Sequence, residues 1–294
     1  MGNNLRDIRR RIRSVKNTQQ ITRAMKMVAA AKFRRAEEKV EHAKRFMSRI
    51  DAILERLSPV MGQVAHPFIS SGGQTENNRV LLVLLTSDKG LCGSFNSNLV
   101  KKALEHANGL TAAGRSVELF AVGKKGRDFF RRRGFKIWQY EQNPRRGPGW
   151  GMVRTIERQI SAAFKAGEFA EVHVVYSDFV NVTKHIPTAV KLLPVEPPDP
   201  NTVSAPEFEN VILEPKSEEL VRHTLDRYLG IEILCALHVN YASENGARMV
   251  AMDNATTAAG DMIDALTLEY NKARQAAITK ELLDIVGGAE AMKV

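Results

Sequence analysis

All eleven prolines of this 294-residue chain lie between Pro59 and Pro215. Proline removes a helical hydrogen bond and clashes with the preceding turn. The first 58 residues and roughly the last 80 are therefore free to be helices far longer than a compact domain needs.

Both segments carry the matching pattern. Leu5, Ile8, Ile12, Val15, Gln19, Thr22, Lys26, Ala29, Phe33, Ala36, Val40, Ala43, Met47, Ile50, Leu54 and Leu57 step by three and four without a slip. Only Gln19, Thr22 and Lys26 are polar, and there the seam is expected to shift towards Ile21, Met25 and Val28. A 3.5-residue period of this length is a coiled-coil signal with a left-handed supercoil. Ser58-Pro59-Val60-Met61-Gly62 reads as its stop. In the last segment Met249, Met252, Thr256, Ala259, Ile263, Leu266, Tyr270, Ala273 and Ala277 repeat the step. Pro215 suits a first helical position, Glu218 and Glu219 favour the dipole there, and Gly287-Gly288 reads as the stop. Gly230, Gly246 and Gly260 could each permit a bend. At 1.5 Å per residue the two helices would run roughly 80 and 100 Å, against about 50 Å across a compact chain of this length. They are expected to project from any globular part. Folding back over a large core is the alternative, but the many small seam residues favour helix against helix.

Charge is uneven. The chain carries a net +10, and residues 1–50 alone hold fifteen cations against four acids. A basic helix suits a nucleic-acid arm, an anionic membrane or an acidic protein surface. Phe33 and Phe46 are the only aromatic residues there, which disfavours base stacking. Cys92 and Cys235 lie far apart without a partner motif, which fits a reducing compartment and no structural disulfide. No run of eighteen apolar residues and no signal peptide is visible.

The middle alternates. Arg79–Thr86, Ser116–Val122 and Glu171–Tyr176 read as strands covered on both faces. Between and around them Asn96–Ala107, Lys124–Arg132 and Arg154–Ala166 read as helices. Alternation of this kind defines an α/β domain with a mostly parallel, Rossmann-like sheet. The expected domains are a helix over 1–58, a central α/β domain over 75–214, and a second helix over 215–287. Val211–Leu213 is a candidate short edge strand.

Catalytic chemistry is thin. The stretch Thr86-Ser-Asp-Lys-Gly-Leu-Cys-Gly-Ser-Phe-Asn96 follows a strand and precedes a helix, where open α/β sheets bind ligands. It is neither a Walker loop nor Gly-x-Gly-x-x-Gly, and a tight capped turn is the simpler reading. Gly123-Lys-Lys-Gly126 fails both patterns too. The seven histidines are scattered without metal-ligand spacing. No catalytic residue, cofactor site or metal site is expected.

Four blocks carry a resemblance. Ile12-Arg-Ser-Val-Lys-Asn-Thr-Gln-Gln-Ile-Thr-Arg-Ala-Met-Lys-Met-Val-Ala-Ala-Ala-Lys32, the 86–96 motif, Ser243–Thr257 and Asn271–Ala291 resemble, in order, the γ subunit family of F-type ATP synthases. The last block includes Ile278-Thr279, Glu281, Asp284 and Gly288-Ala289. The resemblance implies that the terminal helices form an antiparallel coiled coil, the rotor shaft within a hexamer of α and β subunits. The α/β domain would sit at the foot, against the ε subunit and the c-subunit ring, with one copy per complex. Torque would pass between the proton-driven ring and the catalytic hexamer, and ATPase activity and proton flow would be regulated. It further implies β-subunit contacts at Met25, Lys26, Arg248, Arg274, Gln275, Thr279 and Glu281, with Met25 and Lys26 facing Arg248. A weaker match places Val211, Leu213 and Glu214 near the c ring and ε. The dithiol insertion of the chloroplast branch is missing, so no thiol control is expected. The expected location is the cytoplasmic face of a bacterial inner membrane, held only through the complex. A basic coiled-coil nucleic-acid-binding protein is the alternative.

Overall fold

The computed structural model describes residues 2–61, 64, 66–69, 77–181, 184–196 and 216–291. Val211, Leu213 and Glu214, the candidate edge strand and Pro215 lie outside the described residues. The chain divides into two compact units, residues 1–29 with 248–294, and residues 30–247. Helix α1, Gly2–Met61, and helix α5, Ser217–Ala291, supply segments to both. Helix α1 closes within a turn of Pro59. Helix α5 opens with Glu218 and Glu219 in its first turn. The expected stop at Gly287-Gly288 does not occur, and α5 continues to Ala291. Glycine within a helix costs only about 1 kcal/mol, and Ala289, Glu290 and Ala291 continue it with good helix formers.

The larger unit is built on a five-stranded sheet of order β3-β2-β1-β4-β5. Its strands are β1 (Arg79–Leu85), β2 (Ser116–Val122), β3 (Ile137–Glu141), β4 (Glu171–Phe179) and β5 (His185–Leu193). The first four run parallel and β5 pairs antiparallel to β4. Helices α2 (Phe95–Ala112), α3 (Lys124–Arg132) and α4 (Trp150–Lys165) connect them. Strand β1 shows why its run is apolar throughout. Leu81, Val83 and Leu85 belong to one buried cluster, shared with α4 and the adjoining parts of α1 and α5. Leu82 and Leu84 belong to the other, under α2 and α3. Each such side chain is worth about 1.5–3 kcal/mol on burial. Strands β3 and β5 were not expected. They are the two edges, so their residues are mostly half-buried and show neither a continuous apolar run nor clean alternation. Pro187 inside β5 is tolerated because an edge strand can leave a donor position empty.

Within this unit the seam of α1 is buried at Phe33, Ala36, Val40, Ala43, Ile50, Leu54 and Leu57. Helix α5 answers with Val221, Leu225, Leu229, Ile233, Ala236, Val239 and Ala242. The glycines here do not break α5. A β-carbon at Gly230 would come within 2.8 Å of Glu157 Oε2, and one at Gly246 would lie 3.5 Å from the Phe33 ring. Gly230 thus marks a close approach, Gly246 sits at ordinary contact distance, and α5 runs through both.

Candidate functional site

The smaller unit is two helices meeting along one seam. On α1, Ile8, Thr22 and Ala29 are buried and Leu5, Ile12, Val15, Gln19, Met25 and Lys26 half-buried. On α5, Met252 and Ala259 are buried, with Met249, Thr256, Ile263, Leu266, Tyr270, Ala273 and Ala277 half-buried. The pairing is antiparallel. Lys26 Nζ lies 2.6 Å from Asp253 Oδ1, Thr256 Oγ1 donates to Thr22 Oγ1 at 2.8 Å, and Gly260 faces Gln19. Partners climb along α5 as positions fall along α1.

The polar stretch corrects the expected shift of the seam. Ile21 and Val28 are 60% and 58% exposed, whereas Thr22 is 8% exposed. The heptad keeps its phase because each polar side chain finds partners on the facing helix or its own. Gln19 Nε2 donates to Thr256 O at 3.4 Å, Thr22 Oγ1 donates to Gln19 O at 3.0 Å, and Lys26 pairs with Asp253. Asp253 lies off the expected α5 seam and is missed by reading one helix at a time, which also misses that Thr256, within that seam, faces Gln19 and Thr22. An assumed antiparallel register would have found them. The seam's fidelity leaves Ile21, Met27 and Val28 on the outer face.

Lys26 is held by Asp253, and Met25 and Arg248 are half-buried in the same unit. Arg274, Gln275, Thr279 and Glu281 are exposed on α5, off the Tyr270–Ala273–Ala277 seam and therefore free to face another chain. Ile278, Leu282, Leu283, Ile285 and Val286 are also exposed there, at 49% to 68%. Arg274 through Val286 thus mixes charge with apolar surface. Solitary exposed apolar side chains are ordinary; a contiguous set marks a contact surface.

The 86–96 loop of the larger unit is knotted onto its neighbours. Asp88 accepts from the Lys124 backbone N–H at 2.8 Å and from that of Asn143 at 3.0 Å. Thr86 Oγ1 accepts from Gly126 N–H, Asn96 Oδ1 from Ser87 N–H, and Asn143 Nδ2 donates to Thr86 O. Gly123 has φ +96°, and a β-carbon there would sit 2.1 Å from Thr86 O. The backbone donors of Ser87, Lys124, Gly126 and Asn143 are taken by side chains, and the motif ties β1, β2 and β3 together at one end of the sheet. Sequence reasoning also missed a contact between two scattered histidines. His106 Nε2 lies 3.0 Å from His173 Nδ1, and His173 Nε2 lies 3.0 Å from Glu171 Oε2. Burial lowers the pKa of both imidazoles, and the contacting nitrogens face one another rather than a shared ion.

An antiparallel pair of heptad helices, separated in sequence by a mostly parallel α/β domain, defines a class of two-helix scaffold proteins. The comparisons specify it. The sequence model of a family described as ATP synthase matches residues 4–292. The ATP synthase gamma chain of Pelotomaculum thermopropionicum is 43% identical over 98% of this chain and 99% of its own length. That of Fuscovulum blasticum is 42% identical over the same shares. Among solved structures, the central stalk and c-ring of Tetrahymena thermophila mitochondrial ATP synthase matches with a TM-score of 0.60 at 26% identity, over 80% of this chain and 99% of the other. A chain of the Euglena gracilis mitochondrial enzyme shares the fold with a TM-score of 0.71 at 18% identity, over 99% and 95%. The chain belongs to the ATP synthase gamma-chain family. Nothing in these comparisons supports the nucleic-acid alternative.

Proposed function

We propose that this chain is the central-stalk rotor subunit of a proton-translocating ATP synthase, passing torque between the c ring and the catalytic hexamer of α and β subunits. The observation that carries the reading is the seam. It stays in phase through three polar positions, so the paired helices keep a defined mutual register while their outer faces stay charged or apolar. An axle needs that combination. It must be stiff along the pair yet engage its bearing through surfaces that change smoothly with angle. The rotor acts by binding the successive conformations of each β subunit unequally at each angle, because only differential binding shifts their populations.

In this reading Arg274, Gln275, Thr279 and Glu281 meet the β subunits near the end of α5, and Met25, Lys26 and Arg248 meet them lower down. The Lys26–Asp253 pair leaves that zone less positive than the rest of α1. Val211, Leu213 and Glu214 contact the c ring and ε. The chain is itself non-catalytic and regulates ATPase activity and proton flow through the same contacts. It works at the cytoplasmic face of a bacterial inner membrane as a peripheral subunit in one copy. Among the described residues no helix is long and apolar enough to cross a membrane.

Reconstitution tests the reading. Purified α and β subunits are expected to hydrolyse ATP in a sustained steady state only when this chain is added. Equal sustained activity without it would remove the proposal.

A further inference from the structure

The start of α4 carries chemistry that neither the seam nor the 86–96 loop uses. Trp150 is 52% exposed. Arg154 and Arg158 follow at the next two turns, both exposed, so the three share a stripe about 12 Å long. Arg145 and Arg146 are exposed in the turn just before it. None of these four arginines joins the ion pairs among the described residues. Beside Arg154 and Arg158 a shallow groove is lined by Thr155, Glu157 and Ser161.

The positive charge of this end is only partly offset. Gly149 caps α4 without a side-chain hydrogen bond, and the first turn holds no acidic residue. A helix N-terminus already carries partial positive charge, and cations near it are unfavourable. Glu157, the acid flanking the stripe, offsets part of the Arg154 charge, and its carboxylate also lies against Gly230.

We propose that this stripe docks an acidic segment of a partner protein. Two carboxylates about one helical turn apart engage Arg154 and Arg158, and an apolar side chain covers Trp150. Guanidinium groups take carboxylates bidentately, and tryptophan and arginine dominate the energetic centres of protein interfaces. An anionic lipid surface fits less well. It calls for a broad face with several inserted apolar side chains, and this one offers a single aromatic residue beside a polar groove that Thr155, Glu157 and Ser161 line. The inference does not depend on the rotor reading.

The test is photo-crosslinking in cells with Trp150→p-benzoyl-phenylalanine in the full chain. The expected product is a protein adduct whose crosslinked peptide contains at least two acidic residues. Its yield should fall about fivefold or more when Arg154→Glu and Arg158→Glu are added, as for loss of a specific charged contact. Arg154→Gln with Arg158→Gln, which leaves the folded charge pattern milder, should give an intermediate loss. Adducts to lipid alone, no adduct, or a protein adduct whose yield survives both charge variants would overturn the proposal.

Discussion

Residues 30–247 bury leucine, valine, isoleucine and phenylalanine in three apolar clusters, and every member of those clusters falls inside that unit. The pairing of residues 1–29 with 248–294 uses smaller and more polar material. Among the described residues its buried positions are Ile8, Thr22, Ala29, Met252 and Ala259, and most of its seam is only half-buried. Large apolar side chains are instead left outside, at Ile21, Met27, Val28 and along Ile278–Val286. The difference teaches where each unit draws its stability. The larger unit has a core of its own. The smaller has a seam that fixes register while its apolar surface remains available to others. Local stability follows the density of buried apolar contacts, so the smaller unit should exchange its amides faster.

The largest effect expected from a single change lies in the larger unit. Gly123→Ala places a β-carbon 2.1 Å from a backbone carbonyl at a residue with φ +96°. Backbone cannot yield as a flexible side chain can, and left-handed strain adds to the clash. A loss of roughly 3–5 kcal/mol is expected, read as a collapse of the denaturation midpoint of residues 30–247. A loss below about 1 kcal/mol would mean that the loops joining β1, β2 and β3 relax freely.

A smaller effect separates the units by pH. His238 is 7% exposed, its Nδ1 has no hydrogen-bond partner, and Lys39 lies opposite. Burial, with help from Lys39, pushes its pKa down to about 4. The unfolded chain takes up the proton near 6.5, so the stability present above that pH is lost as pH falls from 6.5 towards 4. The full span is worth about 3 kcal/mol. Glu232 works the other way. Burial raises its carboxyl, and Tyr228 Oη donates to it at 2.9 Å. The informative comparison is therefore between chains rather than between pH values. His238→Gln should lose less stability than the parent between pH 7 and 5, with the difference confined to hydrogen exchange of residues 30–247. Parallel pH profiles for the two chains would show that the imidazole is hydrated.

Many of the elements in both units were legible beforehand, for a physical reason, although the expected domains over 1–58, 75–214 and 215–287 did not anticipate that each long helix is shared between the units. Positions such as Ala29, Phe33, Ala36 and Val40 on α1, or Met252 and Ala259 on α5, repeat at a spacing that only a helix buries on one side. Strands β1, β2 and β4 were equally plain because burial on both faces demands continuous apolar runs. What escaped needed knowledge of a partner. Edge strands β3 and β5 carry half-buried residues whose pattern makes sense only beside β2 and β4. The seam was expected to slip at Gln19, Thr22 and Lys26 because a polar side chain in a seam is costly unless paired. The pairing atoms belong to Thr256 and Asp253, more than two hundred residues away. The proposed contacts at Arg274, Gln275, Thr279 and Glu281 came only from the family resemblance, since an exposed face leaves no periodic mark of what it meets.

The smallest effect asks what the polar stretch contributes. Thr22 and Thr256 are isosteric with valine, and each hydroxyl has a fallback within its own helix. Thr22 reaches Gln19 O at 3.0 Å and Thr256 reaches Met252 O at 2.7 Å. Either single change to valine should therefore cost no more than about 1 kcal/mol, and the double change should be close to neutral. The Lys26–Asp253 pair is exposed at 41% and 51% and adds little to offset this. A coupling energy of about 0.5 kcal/mol is expected from the double-mutant cycle, read by hydrogen exchange in residues 1–29 and 248–291. If the coupling instead exceeded about 2 kcal/mol, the smaller unit would depend on its polar contacts for stability as the larger one depends on its core. The contrast between a stabilising core and a register-setting seam would then no longer hold.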